Sequence, residues 1–289
     1  MEFIAIKHKA FFEKKEPALI RPFLKWPGGK FRLVEKIRSS LPDAKQLVEP
    51  FVGSGAVFLN TQYDHYLLND VNQDLITLYQ TLQTQGDAFI EYCRGYFIQR
   101  FNTEKKYYRL RAAFNAEKDP MVRSALFLYL NRHGYNGLCR YNRRKSEFNV
   151  PFGRYKKPYF PEKEMQLFHE KSKNVIFSCE DFTNTMNRAK IGSVIYCDPP
   201  YVPLSATSGF TAYHTRGFSL EEQTVLALLA KKMAAKGIPV LLSNHCNDFT
   251  RKAYQEALTQ EFSVRRFISC KANERIQVQE LLALFPASA

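Results

Sequence analysis

The sequence predicts an α/β protein, a doubly wound sheet that carries an inserted helical subdomain and a basic β-hairpin. Two separate regions alternate strand-like apolar runs with helices, which is typical of a parallel sheet covered on both faces. The region between them shows helical periodicity without strand runs. Hydrophobic residues make up 45% of the 289 residues, which is enough for a full core and too much for a disordered chain.

The predicted α/β domain combines residues 21–72 and 161–289. Its first part holds a strand at 46–51, a glycine turn opening a helix over 53–60, and a strand at 66–70. The elements of its second part are strands at 174–182 and 193–197, a helix at 219–237 and a strand at 238–244. Ser219 and Glu222 form a capping box for that helix, and Gly237 stands where a C-terminal glycine belongs.

Residues 73–160 form the predicted insertion, a helical subdomain with a basic hairpin at about 134–157. Within 131–160, eight basic side chains and seven aromatic rings accompany one acid. Basic groups bind phosphates, and aromatic rings stack on bases or wedge into a duplex. A solvated basic hairpin is the alternative. Residues 1–20 are predicted to be an N-terminal leader.

Charge and cysteine usage narrow the class of protein. Lysine and arginine number 42 against 28 acids, a net charge of +14 that favours a polyanionic partner, most often nucleic acid. A basic protein without such a partner is the alternative. No run of roughly 18 apolar residues marks a membrane span. The six cysteines and six histidines lack zinc-site spacing, so we predict reduced thiols, a cytoplasmic protein and no metal.

The peptide EPFVGSGAVF (49–58) turns from a strand into a helix. Gly53 and Gly55 let the backbone approach a ligand closely, and the spacing fits neither a P-loop nor a full dinucleotide motif. Asp70 ends the next strand, where an acid can accept hydrogen bonds from ribose hydroxyls. This pattern suits a nucleoside without a pyrophosphate, such as S-adenosylmethionine, and a purely structural turn explains it equally well.

The peptide FLKWPGGK (23–30) places Trp26 beside a glycine turn and Lys30. A sulfonium cation favours an aromatic surface, and a carboxylate favours an ammonium group. S-adenosylmethionine carries both groups. Taken alone, the peptide is explained better by a buried tryptophan and a surface lysine.

The peptide VIYCDPPY (194–201) begins as a buried strand and ends in Asp198, Pro199, Pro200 and Tyr201. The prolines stop the strand and fix the backbone at its carboxyl end, where doubly wound sheets bind ligands. A carboxylate and a backbone carbonyl can accept both hydrogens of an exocyclic amino group, which frees the nitrogen lone pair for methyl transfer. Tyr201 supplies a face for the base. A simple strand-ending turn is the alternative.

Together these peptides resemble the DNA adenine methyltransferase (Dam) family, which acts at GATC sites. Seven segments match the family in the family's order, and the similarity runs from about residue 21 to the end. They are FLKWPGGK, LVEPFVGSGAVFLN, LFLYLNRHGYNGLCRYN, EFNVPFGRYKKPYFP, VIYCDPPYVPLSAT, FTAYHT and PVLLSNH. The resemblance implies an S-adenosylmethionine-dependent enzyme that flips adenine out of double-stranded DNA and methylates its N6 by direct in-line transfer.

The resemblance also implies that residues 21–72 and 161–289 form the S-adenosylmethionine-binding catalytic domain, and that residues 73–160 form a helical DNA target-recognition domain. It further implies roles for single residues. The cofactor-binding residues it implies are Trp26, Lys30, Glu49, Phe51, Gly53, Gly55, Asp70, Asp181 and Asp198. The catalytic residues are Asp198, Pro199, Pro200 and Tyr201. The DNA-binding residues are Lys25, Tyr135, Asn136, Leu138, Arg140, Pro151, Arg154 and Tyr155. Among these, Arg140 resembles the arginine that reads a guanine, while Tyr135 and Asn136 resemble residues that fill the space left by adenine.

Two other functions stay open at this point. One is an adenine or cytosine N4 methyltransferase of a restriction system with another target site, for which the same Asp-Pro-Pro-Tyr chemistry would serve. The other is a catalytically silent DNA-binding regulator. We expect a monomer without an obligate protein partner or a membrane, located in the cytoplasm with the nucleoid.

Overall fold

The computed structural model describes residues 18–142, 144–202, 218–267 and 275–288. Most of the predicted leader, Cys270 and the FTAYHT segment lie outside these residues. The described strands are Gln46–Glu49 (β1), His65–Asn69 (β2), Val175–Ser178 (β3), Ser193–Cys197 (β4), Val240–His245 (β5), Leu258–Phe267 (β6) and Arg275–Phe285 (β7). Across the described ranges they form one sheet in the order β3-β2-β1-β4-β5-β7-β6.

The sheet order reverses between β1 and β4. Strands β1 to β5 run parallel, whereas β7 is antiparallel to both β5 and β6. The chain moves outward from β1 through β2 to β3, returns to the centre at β4, and then moves the other way. Such a reversal opens a crevice at the carboxyl ends of the two central strands. The sheet therefore places the loops after β1 and β4 side by side.

Helices cover both faces of the sheet. They are Val34–Ser40 (α1), Ala56–Asn60 (α2), Gln73–Arg94 (α3), Glu104–Ala116 (α4), Pro120–His133 (α5), Glu162–Ser172 (α6), Phe182–Asn187 (α7), Leu220–Ala235 (α8) and Asp248–Ala253 (α9). Along β4, Val194 and Tyr196 join a buried cluster with α1 to α6. Ile195 and Cys197 point the other way and join a second cluster with α7 and α8. Because every residue of β4 is buried, the strand reads as an unbroken apolar run.

The helix predicted at 219–237 is confirmed with both of its ends. The Ser219 hydroxyl accepts from the Glu222 N–H at 3.2 Å, and the Glu222 carboxylate accepts from the Ser219 N–H at 2.5 Å. Gly237 follows the helix with φ +78°. This capping box and left-handed glycine satisfy backbone groups that a helix terminus leaves unpaired.

The strand predicted at 174–182 is wrong in its second half. Strand β3 ends at Ser178, and the Asp181 carboxylate accepts from the Thr183 N–H at 2.9 Å to cap α7. An aspartate that caps a helix in this way competes with strand pairing. Helix α6 and the antiparallel pair β6 and β7 were not predicted from the sequence.

The insertion is helical, as predicted, and α3, α4 and α5 occupy most of it. Their buried side chains belong to the same cluster as the sheet residues Leu47 and Val194. The described residues of 134–157, which leave out residue 143, make two isolated antiparallel bridges, Gly134 to Phe152 and Tyr141 to Phe148, and no continuous ladder. Left-handed backbone at Asn136, which lies between the two bridges, interrupts the pairing. No described helix is long and apolar enough to cross a bilayer.

Helix α3 is kinked at Gly86, and replacing this glycine should destabilise the folded protein. The φ of Gly86 is 49° and its ψ is −124°, and a Cβ atom there would lie 2.7 Å from Nε2 of His169. We expect Gly86→Ala to lower the free energy of unfolding in urea by about 1–3 kcal/mol or more. The control Gly192→Ala has φ +91° but no atom within 4 Å of its Cβ position, so it carries backbone strain alone. Equal losses in both variants would show that the His169 contact costs nothing.

Candidate active site and nucleic-acid interface

A cavity of about 620 Å³ opens at the carboxyl ends of β1 and β4. Its walls come from the turn after Trp26, the loop after β1, the end of β2, the start of α7 and the turn after β4. The predicted site residues that line it are Trp26, Lys30, Glu49, Phe51, Gly53, Asp70, Asp181, Asp198, Pro199, Pro200 and Tyr201. Residues far apart in sequence thus meet because β1 and β4 are neighbours in the sheet.

Gly55 lies behind the cavity wall and does not line it. It precedes α2 with φ +71°, and a Cβ atom there would lie 3.5 Å from Phe168 and 3.7 Å from Phe58. The prediction of a cofactor contact therefore receives no support from the cavity at this position. The glycine is needed for the left-handed turn into the helix.

Gly53 lets the indole of Trp26 pack directly on the backbone. A Cβ atom at Gly53 would lie 3.0 Å from Nε1 of Trp26. The Gly53 N–H donates to Oδ2 of Asp70 at 3.2 Å, and the Tyr79 hydroxyl donates to the Gly53 carbonyl at 2.6 Å. Burial raises the pKa of Asp70. The loop, the indole and the carboxylate thus form one fixed wall.

Asp198 is held by two side chains at the opposite wall. Nζ of Lys30 lies 2.8 Å from its Oδ1 atom, and the Ser243 hydroxyl donates to the same oxygen at 3.0 Å. Burial raises the pKa of Asp198, and the charge of Lys30 opposes that shift. Lys30 also donates to the Gly28 carbonyl at 2.8 Å and lies 4.4 Å from the ring centroid of Tyr201. The cation therefore favours the charged carboxylate beside the aromatic face.

The turn after β4 is fixed by polar side chains that were not predicted from the sequence as site residues. Gln223 donates to the Pro200 carbonyl at 2.7 Å, and Asn244 donates to the Gln223 side chain at 3.0 Å. The Val202 N–H donates to Asn244 at 3.2 Å. The available signal is the Ser-Asn-His end of the otherwise apolar strand β5, next to β4. Polar residues in a buried strand require partners, and here the partners belong to this turn.

Glu49 ends β1 and is buried, with 2% of its surface exposed. Its Oε1 atom has no hydrogen-bond partner among the described residues. Burial, followed by the charge of Asp198, raises the pKa of Glu49 to about 8. A buried carboxylate oxygen that lines a cavity and has no protein partner indicates that a bound ligand donates a hydrogen bond to it.

The raised pKa of Glu49 predicts how the free energy of unfolding depends on pH. The folded carboxyl keeps its proton to about pH 8, whereas the unfolded carboxyl loses it near the ordinary value of 4.5. The folded state binds the extra proton between these values, so its stability falls as pH rises through that window. We expect Glu49→Gln to have a melting temperature that falls less between about pH 5.5 and pH 8.5. The exposed control Glu35→Gln should follow the wild type, and a wild-type slope in Glu49→Gln would contradict the assignment.

The cavity fits the methyl donor that the resemblance implies. An ammonium group would find Glu49 Oε1, a carboxylate would find Lys30, and ribose hydroxyls would find Asp70. Aromatic faces for a sulfonium or an adenine come from Trp26 and Phe51. The donor set of the wall thus matches the chemical groups of S-adenosylmethionine.

The predicted DNA-binding residues form a separate surface, called here the recognition surface. It consists of Lys25, Tyr135, Asn136, Leu138, Arg140, Pro151, Arg154 and Tyr155. Nζ of Lys25 lies 3.9 Å from the ring centroid of Tyr155, whose hydroxyl accepts from the Asn136 N–H at 3.0 Å. The Tyr135 N–H donates to the Pro151 carbonyl at 2.9 Å, and the Leu138 N–H to the Tyr135 carbonyl at 3.1 Å.

Arg140 is exposed on the recognition surface and held from one side. Its Nε donates to Oδ1 of Asn149 at 2.7 Å, and its Nη2 donates to the Asn149 carbonyl at 3.3 Å. Nη1 takes no part in these contacts, so a guanidinium edge is available for a planar acceptor pair. Arg154 has φ 54°, and 79% of its side chain is exposed. Lys25 precedes Trp26 directly, so the recognition surface and the cavity are adjacent.

Comparison with known proteins gives consistent results. A family model described as D12 class N6 adenine-specific DNA methyltransferase matches residues 26–269. The chain is 53% identical over 265 residues to a DNA adenine methylase of Escherichia coli (strain K12), covering 92% of this chain and 95% of that protein. It is 54% identical to a DNA adenine methylase of Serratia marcescens, covering 92% and 98%. A DNA adenine methylase of Vibrio cholerae serotype O1 (strain ATCC 39541 / Classical Ogawa 395 / O395) is 51% identical, covering 92% and 96%.

Proposed function

Because this chain belongs to the D12 class of N6 adenine-specific DNA methyltransferases, we propose that it methylates adenine N6 within GATC, using S-adenosylmethionine and a flipped base. The chain is an adenine-specific DNA methyltransferase, its substrate is DNA, and its family implies a methyl donor of this type. The target site, the base flipping and the mechanism are the proposal. The observation that carries it is the Asp198 carboxylate, fixed by Lys30 and Ser243 beside a nucleoside-sized cavity.

The cavity residues bind the donor in this proposal. Lys30 would hold the methionine carboxylate, Glu49 the ammonium group and Asp70 the ribose hydroxyls. Asp181, at the start of α7 and in the same cavity wall, would contact the adenine of the donor, a role that resembles that of the aspartate in an Asp-Phe pair of related enzymes. S-adenosylmethionine supplies an electrophilic methyl group on a sulfonium centre when it is bound.

The turn after β4 prepares the amino group of adenine. The Asp198 carboxylate and the Pro199 carbonyl each accept one N6 hydrogen, which draws the nitrogen towards tetrahedral geometry and frees its lone pair. Tyr201 holds the base flat, and its hydroxyl donates to Glu280 at 3.3 Å. S-adenosylmethionine would supply the methyl group that N6 gains, and the Asp198 carboxylate would accept the proton that N6 loses. Fixed acceptors need no rearrangement during the reaction, which is the main source of such catalysis.

The recognition surface selects the site. Arginine reads guanine through paired hydrogen bonds to O6 and N7, a role that suits the available edge of Arg140. Tyr135 and Asn136 enter the space that adenine leaves, and Leu138 and Pro151 contact thymine. Lys25 and Arg154 bind phosphates or neighbouring bases. Flipping is required because N6 inside a stacked duplex cannot reach Asp198. A monomer in the cytoplasm, associated with the nucleoid, completes the proposal.

Sequencing of methylated bases tests the proposed function directly. Unmethylated plasmid is incubated with the purified full chain and S-adenosylmethionine, and N6-methyladenine is mapped by single-molecule sequencing. We expect the mark at the adenine of GATC, and protection of those sites from a restriction enzyme that adenine methylation blocks. Methyladenine confined to another sequence would contradict the GATC assignment, and unmodified adenine throughout would contradict the function.

A further inference from the structure

The start of α3 lies between the cavity and the recognition surface. Asp70 lines the cavity, Asn72 caps the helix, and Asp74 is buried in its first turn with 9% of its surface exposed. None of the proposed DNA contacts lies in this turn. Two side chains of the turn nevertheless bind the residues on either side of Arg140.

Asn72 contacts both sites. Its backbone N–H donates to Oδ1 of Asp70 at 3.0 Å. Its side-chain oxygen accepts from the N–H groups of Asp74 and Leu75 at 3.1 and 3.2 Å, which fixes the orientation of the amide. The amide nitrogen then donates to Sγ of Cys139 at 3.3 Å. One residue thus joins a cavity carboxylate to the recognition loop.

Asp74 holds the other side of Arg140. The hydroxyl of Tyr141 donates to Oδ2 of Asp74 at 2.6 Å, and Arg123 donates to both carboxylate oxygens at 2.5 and 3.2 Å. Burial raises the pKa of Tyr141 far above neutrality, so its hydroxyl remains a donor. Burial likewise raises the pKa of Cys139 to about 12, which keeps that thiol neutral.

The contacts alternate along the loop. Cys139 and Tyr141 face α3, whereas Arg140 between them is exposed, as expected for extended backbone with a side-chain period of two. Asn149 fixes the guanidinium from the opposite side of the loop. The backbone of Arg140 is therefore tied to α3 at the residue before it and at the residue after it.

We propose that the first turn of α3 positions Arg140 for guanine and couples site recognition to occupancy of the donor cavity, with Asn72 and Tyr141 as positioning residues. The inference rests on the proposed function and goes beyond it, because neither residue contacts donor or base. Ribose hydroxyls that bind Asp70 compete with the Asn72 N–H for the Oδ1 atom of Asp70. The hydrogen bond between Asp70 and Asn72 is then reoriented. A ligand that changes this contact also shifts Cys139, and such coupling acts equally in both directions.

Two variants each remove the polar contacts of one side chain with the other side of the loop or helix, and they leave the helix cap or the ring in place. Asn72→Ser retains a capping oxygen and loses the donor to Cys139. Tyr141→Phe loses the hydroxyl that binds Asp74 and also contacts Cys139, and it keeps the ring. The matched controls are Asn247→Ser, which alters the Asn cap of α9, and Tyr63→Phe, whose hydroxyl donates to the Pro42 carbonyl. Neither control residue touches the cavity or the recognition surface.

The first readout is kcat/KM on GATC duplexes and on duplexes with the guanine replaced. We expect Tyr141→Phe to lower the GATC preference by roughly 5- to 30-fold, while kcat on GATC falls less. The second readout is DNA affinity with and without S-adenosylhomocysteine. We expect this ligand to tighten wild-type binding to GATC by roughly fivefold or more, and Asn72→Ser to bring that factor close to one. The control variants should match the wild type in both measurements.

The outcomes separate this inference from the proposed function. Failure of the wild type to methylate GATC would overturn the proposed function, and the inference with it. A methylating wild type whose two variants keep its preference and its ligand coupling would overturn the inference alone. A uniform loss of activity on GATC and on altered sites would also overturn it, because that result indicates a purely structural role. Lost preference with retained turnover supports it.

Discussion

Asp198→Asn is expected to lower the rate of methyl transfer by roughly 10²- to 10³-fold. The asparagine keeps the volume of the side chain, but it removes the charge that Lys30 and Ser243 orient and that the proposed mechanism uses to accept an N6 hydrogen and its proton. Single-turnover transfer from labelled S-adenosylmethionine to a GATC duplex measures the effect. DNA affinity in the presence of S-adenosylhomocysteine should stay within a few-fold of wild type.

The pH dependence of the same step follows from the position of Asp198. Burial raises its pKa above the ordinary aspartate value, so the charged form is lost as pH falls through this raised value. The acid limb of the rate profile should therefore begin at a higher pH than for an exposed aspartate. Asp64→Asn, an exposed replacement, should behave as wild type. Activity of Asp198→Asn within tenfold of wild type would exclude the carboxylate from the mechanism.

Arg140→Ala is expected to lower discrimination of the guanine by about 1–3 kcal/mol, or roughly 5- to 150-fold. The alanine removes the guanidinium that Asn149 holds at the recognition surface and leaves the cavity untouched. The measurement is kcat/KM on GATC and on duplexes with each other base in place of guanine. The affinity for S-adenosylmethionine should not change.

Arg144→Ala serves as the comparison, because it removes an exposed basic side chain from the same loop. A phosphate contact carries no sequence information, so this variant should weaken binding to all duplexes equally. The slope of the logarithm of the binding constant against the logarithm of the salt concentration should also become less steep, by the amount that one phosphate contact contributes. Unchanged preference in Arg140→Ala would refute the guanine assignment, and changed preference in Arg144→Ala would move the reading role to that residue.

The sequence predicted the parts of the site that are local in the chain. Asp198 follows an apolar run and precedes two prolines, so its place at a strand end could be read directly. Ser243 and Gln223 could not be assigned, because their contacts with this turn bridge 45 and 23 residues and depend on how β5 and α8 pack. At Asp181 a local pattern gave a wrong prediction. The apolar run before it predicts a strand that continues through this residue, whereas Asp181 caps helix α7.

The edge of the sheet was the least predictable part of the fold. Strand β6 lies at the edge and pairs on one side only, and its residues from 259 to 261 are exposed. An edge strand that faces solvent needs no apolar pattern, so its sequence resembles a loop. By contrast, β4 pairs on both sides and is buried on both faces, which makes its pattern unmistakable.

The strands that flank the insertion are neighbours in the sheet, with Tyr66 of β2 opposite Val175 of β3. The whole excursion between them leaves the fold at the carboxyl end of β2, where Asp70 lines the cavity, and re-enters it at the amino end of the neighbouring parallel strand β3. Length changes in such an excursion are inexpensive, since closure entropy grows only with the logarithm of chain length. Transplanting it between homologues would exchange target preference as a unit, provided that the Asn72 and Asp74 contacts travel with their loop partners.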